Sequence, residues 1–378
     1  MSKLVWFILF LAVVSTVFIF LFILKLGTTE LIIKVDKHLW VSYTEELLVA
    51  KVYVYTTDGS RIGNILMNLS LGDETLSSWK FNINSAVYIH TFNISYREDL
   101  SLIISWRERR YSFQLKIKDE ERVIVEGEHI ILNLKKRSFD LFNNVLDWLR
   151  KLDLAYEAYQ ELVGTVPYGG EKIVIKEVDE YPGGWAVAGN PIKWYSKYVP
   201  DAIKQINEGD WLFGILHELG HDFDIDYRWV WNAESSANFK MVYVAEKLKA
   251  KIKQGGVWYD YSVSSGKTLD DYYAMMAART GEEKRLKQWP NFKNNDAETH
   301  KLLIIKNMIG WEPFKKTYRA WLNLTQDEIP KDPVDKFNLF LYYLCKFSGR
   351  DLTQYFIEWG FPVKDDTIIK VREELKKG

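Results

Sequence analysis

The sequence predicts an α+β chain in three parts: an N-terminal transmembrane helix, a β-sandwich, and a mixed region that ends in helices. Three patterns carry that reading. Leu4 to Leu24 runs without a charge, residues 30 to 130 alternate short β-branched or aromatic runs with turn signals, and from Ser138 the apolar spacing becomes helical. At 378 residues the chain is long enough for two or three domains. Its 50 basic and 51 acidic residues leave a net charge of −1, which excludes an electrostatic nucleic-acid surface, so no nucleic-acid partner is expected. Cys345 is the single cysteine and sits in the apolar run Leu339 to Phe347. That excludes an internal disulfide or a metal site built from several thiolates, and it marks Cys345 as a core residue.

The elements follow in order. Leu4 to Leu24, bracketed by Lys3 and Lys25, matches a hydrocarbon core of about 30 Å at about 1.5 Å per helical residue. No small-residue cleavage site follows it. Residues 1–29 are therefore read as an uncleaved single-pass anchor, with the rest of the chain outside the cytoplasm. Strands are expected at Leu31 to Val35, Leu48 to Tyr55, Ile65 to Leu71, Val87 to Ser95, Ser101 to Trp106, Tyr111 to Ile117 and Arg122 to Val125. They read as an Ig-like sandwich over residues 30–130. Residues 131–378 form the third part. Ser138 is the expected N-cap of a helix that Gly164 closes, followed by a strand at Lys172 to Val178, a Gly-rich stretch from Gly183 to Pro191, and mostly helices. Thr268 with Asp271 reads as a capping box, and Gly310, Gly349 and Gly360 as helix stops.

The chemistry concentrates in His217-Glu218-Leu219-Gly220-His221, an H-E-x-x-H motif on a helix expected from Trp211 to Asp222. Two histidines four residues apart share one helical face, so both imidazoles reach a single tetrahedral Zn²⁺. Glu218 then stands beside the metal, placed to take a proton from the attacking water and return it to the departing amine as general base and acid. With six histidines in the chain the motif arises by chance about 0.007 times, so an ordinary amphipathic helix is the weaker reading.

A third ligand must come from elsewhere. The extended motif with a third histidine is excluded, because Asp224 and Tyr227 stand where it needs Gly and His. Asn232 reads as the N-cap of a second helix running to about Ala250, with Glu234 in its first turn. His217, His221 and Glu234 are thus the expected metal ligands, with an open fourth position. A helix-dipole role for Glu234, or its replacement by Asp224 or Asp226, stays open. Asn238, one turn later, is the expected hydrogen-bond partner that orients a ligand imidazole. Trp185, Gly189 and Asn190 are read as an edge strand that pairs with an extended substrate, against a plain turn. Tyr243, Tyr272, Tyr273 and His300 qualify by residue type as donors to an oxyanion.

His217 to His221 with Glu234 and Asn238 resembles the M60 and M60-like peptidases, the enhancin and mucin-directed group of gluzincin type. Ala188-Gly189-Asn190-Pro191-Ile192 is similar to that family's small-Gly-x-Pro-Ile segment, with Asn190 where an aromatic is usual. Ile309 to Phe314 and Tyr355 to Val363 are similar to its C-terminal helical part. The resemblance spans about residues 130 to 370. It implies a zincin-like catalytic domain, one Zn²⁺ per chain, and endopeptidase activity, commonly on heavily glycosylated proteins. The expected function is a membrane-anchored extracytoplasmic zinc endopeptidase acting on protein or mucin-like glycoprotein substrates. The rival is a cell-surface glycan- or protein-binding module whose zinc site is vestigial or structural.

Overall fold

The computed structural model describes residues 29–290 and 294–377. The chain divides into two compact units, one of residues up to Glu126 with Asn133–Asp140, the other of Gly127–Leu132 with Leu141–Gly378.

The first unit is two sheets. Strands β1 (Leu31–Ser42), β2 (Glu46–Thr56), β5 (Val87–Ser95) and β8 (Arg122–Glu126) lie in the order β8-β1-β2-β5, and β3 (Gly63–Leu71), β4 (Glu74–Ile83), β6 (Leu100–Trp106) and β7 (Arg109–Gln114) in the order β4-β3-β6-β7. Pairing is antiparallel except between β1 and β8. Strand periodicity of two explains the core: Leu48, Ala50, Val52 and Val54 on β2 and Leu100, Leu102 and Ile104 on β6 are fully buried. Each removes apolar surface from water at roughly 25 cal/mol per Å². Trp79 and Phe81 of β4 meet Tyr88, His90 and Phe92 of β5 with ring centroids 4.9 to 5.4 Å apart. Strand β4 was not among the expected ones, because its sequence is largely polar and its aromatics find partners only across the two sheets.

A ninth strand, β9 (Ile130–Lys135), and a helical turn, Lys136–Phe139, precede the helical part. Ser138 is buried inside that turn and not at a helix start; helix α1 (Val145–Val163) begins later, where Asn144 in extended conformation accepts the Asp147 N–H. Gly164, at φ 93, closes it in the left-handed region as expected. In the second unit β10 (Ile173–Val178) pairs in parallel with β12 (Ile192–Tyr195), and the two-residue β11 (Ala186–Val187) runs antiparallel to β12 at the edge. Helices α2 (Val199–Asn207), α3 (Phe213–Asp222) and α4 (Ala233–Lys247) follow, then the hairpin β13 (Lys251–Gln254) and β14 (Val257–Asp260). Six further α-helices follow among the described residues: α5 (Leu269–Arg279), α6 (Asn295–Ile309), α7 (Glu312–Leu322), α8 (Pro333–Ser348), α9 (Thr353–Glu358) and α10 (Asp365–Leu375). Thr268 and Asp271 form the expected capping box on α5, and Cys345 is fully buried in α8.

One expectation is corrected. Among the described residues no helix is long and apolar enough to cross a membrane. Even the 19-residue α1 carries Asp147, Arg150, Lys151, Asp153, Glu157 and Glu161, which a bilayer core does not accept. Leu4 to Leu24 lies outside the described residues. The fold is mixed α+β, and the membrane anchor and single-pass extracytoplasmic placement are withdrawn.

Candidate metal centre

The motif helix is positioned by buried groups on three sides. Asp210, fully buried, accepts the N–H groups of Leu212 at 2.9 Å and Lys253 at 3.1 Å. These bonds hold Leu212 in the left-handed region at φ 69, a conformation that costs about 1–3 kcal/mol for a non-glycine residue, and so set the start of α3. Ile215, Leu216 and Leu219 form its buried face, and the Tyr159 hydroxyl donates to the Leu216 carbonyl at 2.6 Å. Gly214 lies under Trp185, whose ring a Cβ would meet at 2.6 Å. Gly220 lies against α4, where a Cβ would stand 2.9 Å from the Ala237 carbonyl oxygen and 3.2 Å from its Cα. That glycine lets the two helices touch and brings Glu234 to the histidines.

Three donor atoms converge. His217 Nε2 is 3.0 Å from His221 Nε2 and 3.1 Å from Glu234 Oε2, and Glu234 Oε1 is 3.5 Å from His221 Nε2. A tetrahedral ion bound at roughly 2.0–2.1 Å sets neighbouring donors roughly 3.3 Å apart, so the donor set fits one. The close approach of His217, and then of His221, holds the Glu234 carboxyl well below its usual range. The Asn238 amide oxygen lies 2.8 Å from His217 Nδ1. An amide oxygen only accepts, so Nδ1 carries the proton and Nε2 keeps its lone pair for the centre. Asn238 in turn donates to Asn295 Oδ1 at 3.2 Å.

Glu218 sits between the histidines in sequence and half-buried in space. Burial pushes its carboxyl up to about 7, opposed by nearby His217 and by a hydrogen bond from the Ala188 N–H. One turn on, Asp222 accepts from the Gly189 N–H and the Tyr168 hydroxyl, each at 2.8 Å, and burial raises it to about 7 as well. The N–H groups of Ala188 and Gly189 are thus occupied by α3. Asn190 turns the other way, its side chain accepting from Val174 N–H and donating to the Lys172 carbonyl, and Trp185 packs on Gly214 and Trp194. Trp185, Gly189 and Asn190 of the expected edge strand all lie outside strands, and the sheet edge is formed by β11 between them.

The alternative ligands are placed elsewhere. Asp224 is buried, its Oδ1 accepting from Lys240, from Ser236 at 2.7 Å and from Trp229 at 3.2 Å; Asp226 is exposed beside Arg228. Asn232 takes the expected N-cap position of α4 without a side-chain cap bond, and its amide donates at 3.1 Å to the fully buried Glu298, which also accepts from Trp231 Nε1 and Ser235 Oγ. Glu298 and Asp296 were not anticipated. Asp296 lies in the field of His217 and Glu234, and its burial raises its carboxyl; in sequence both resemble ordinary first-turn acids of α6. Among the oxyanion candidates, Tyr243 donates to Glu161, Tyr273 is fully buried, and Tyr272 packs edge-on against Phe213, which stacks on His217.

A two-histidine helix laid against a glutamate-bearing helix is a metallopeptidase-like arrangement. The chain belongs to the family described as Peptidase M60, enhancin and enhancin-like, whose model matches residues 107–360, so the resemblance read from the motifs is borne out. TRPM8 channel-associated factor 1 of Bos taurus is 25% identical over 253 residues, covering 63% of this chain and 25% of that protein. The human TRPM8 channel-associated factor 1 is 24% identical over 249 residues, with the same coverage. The chain therefore spans about a quarter of the length of these curated relatives. A functionally unknown conserved protein from Bacillus anthracis str. Ames shares the fold, with a TM-score of 0.53 at 14% identity over 83% of this chain and 72% of that one. The family implies a bound metal, and the convergent donors supply a place for it.

Proposed function

We propose that the protein is a zinc endopeptidase in which His217, His221 and Glu234 hold one Zn²⁺ and Glu218 is the general base and acid. The observation that carries this reading is the convergence of His217, His221 and Glu234, one ligand atom from each lying within 4.8 Å of the others, with Glu218 one residue from His217. The ion, when bound, supplies a Lewis acid that makes water nucleophilic near neutral pH. The chain's own groups do the rest. Glu218, with a carboxyl raised towards neutrality, takes a proton from the attacking water and hands it to the leaving amine nitrogen. Asn238 holds His217 in the tautomer that presents Nε2. The open side of β11 pairs with an extended peptide. Glycoproteins are the expected substrate class, on the family resemblance.

The names of the relatives favour a second reading, in which the domain associates with a channel protein without cleaving it. One experiment separates the two: zinc content of the purified protein, and cleavage of a panel of glycosylated and deglycosylated proteins with and without chelator. Chelator-sensitive cleavage supports the peptidase. Zinc bound at one per chain with no cleavage of any substrate favours the binding module.

A further inference from the structure

We propose that Asp224 is a positioning residue for His221, an inference that rests on the metal-site reading above. The two imidazoles sit one turn apart on α3, yet their outer nitrogens meet different partners. His217 Nδ1 donates to the neutral amide of Asn238 at 2.8 Å. His221 Nδ1 faces Asp224 Oδ2 across 4.0 Å. Asp224 is 3% exposed, and this oxygen is buried with no hydrogen-bond partner among the described residues, while Oδ1 is held by Lys240, Ser236 and Trp229. An orphaned buried acceptor is costly, so a native fold keeps one where a donor is due.

The donor set supplies that donor. For Nε2 to offer its lone pair inward, neutral His221 must carry its proton on Nδ1, and that N–H needs an acceptor. A side-chain adjustment of about 1 Å turns the 4.0 Å approach into a hydrogen bond of ordinary length. Lys240, also fully buried, balances the charge of Asp224, so the carboxylate stays in place without a second cation. His217 is thereby oriented by an amide and His221 by a carboxylate. Asp224 touches neither metal nor substrate and acts through His221.

The test uses Asp224→Asn and Asp224→Leu, each combined with Lys240→Met so that no buried charge is left unpaired. Zinc affinity is measured by competition with a chromogenic chelator, and the His221 tautomer by ¹⁵N–¹H correlation spectra of the zinc-loaded protein. Affinity is expected to fall from wild type through the Asn/Met to the Leu/Met variant, by roughly 10- to 100-fold in total. In wild type the His221 Nδ1 proton is expected to exchange slowly with solvent. A folded Leu/Met variant with wild-type zinc affinity would overturn the proposal, because a merely structural pair leaves affinity unchanged. If neither double variant folds, the wild-type spectrum decides: a freely exchanging Nδ1 proton overturns the role and a protected one upholds it. A wild-type protein that binds no zinc is a separate outcome, which removes the metal-site reading itself.

Discussion

The two units bury different things. In the first, among the described residues, buried charge is confined to the side chains of Lys135, paired with Glu120 at 2.7 Å, and Lys37, paired with Glu121, and the interior is otherwise mainly apolar. In the second, Asp210, Asp222, Asp224, Lys240 and Glu298 are buried around α3 and α4. Taking a charge out of water costs several kcal/mol unless it is paired. Each of these groups fixes backbone or side chains near the donors: Asp210 holds Leu212, Asp222 holds Gly189, and Glu298 holds the residues that open α4. The first unit is stabilised mainly by burial, whereas the second gives up part of its stability for geometry.

The contrast is broken most severely at the donors. His221→Ala or Glu234→Ala is expected to lose bound zinc and peptidase activity together. Glu218→Gln keeps the three donors, so zinc stays near one per chain by elemental analysis while hydrolysis falls roughly 10²- to 10⁴-fold; full activity in this variant would sink the assigned role. Next come two interior changes of similar cost. Lys240→Met strands the Asp224 carboxylate and is expected to cost about 3–5 kcal/mol, and Leu102→Ala in β6 leaves a cavity costing about 2–5 kcal/mol. Zinc affinity, titrated below both melting temperatures, should drop in the first and hold in the second. Equal affinities would erase the distinction between the units.

Gly220→Ala is a smaller perturbation, about 1–3 kcal/mol of overpacking against Ala237. Because it separates the helices that carry the donors, zinc affinity should fall with it, and an unchanged titration would contradict the close contact. The mildest effect is at Glu161, which accepts from Lys315 at 2.8 Å, Tyr243 at 2.7 Å and Lys247. Led by the Lys247 bond, these hold its carboxyl down to about 2, from 4.5. Its stabilisation is therefore complete above pH 4.5 and is lost as the pH falls towards 2. The group is 41% exposed, so the gain stays below about 1 kcal/mol. Glu161→Gln should lower the melting temperature slightly at pH 7, with the gap to wild type narrowing below pH 4.5; a gap that widens in acid would show the sign to be wrong.

Much of this was legible in one dimension. Short β-branched and aromatic runs between turn signals announce strands such as β2 and β6, and Gly164, Thr268 and Asp271 announce helix ends, because those signals depend on the local backbone alone. Strand β4 escaped because Trp79 and Phe81, both half-buried, find their ring partners only on β5. Asn232 opens α4 as its position announces, but its bond to buried Glu298, 66 residues away, has no local signal.

The sequence by itself determined that His217 and His221 share a helical face with Glu218 beside them, since an α-helix repeats every 3.6 residues whatever surrounds it. Tertiary structure decided that Glu234 arrives at the same point, that Asn238 rather than Asp296 bonds His217, and that Asp224 stands behind His221 instead of joining the donors. The spacing within one helix is set by bonded geometry, whereas the distance between two helices is set by the atoms at their contact, here the missing side chain of Gly220 against the backbone of Ala237.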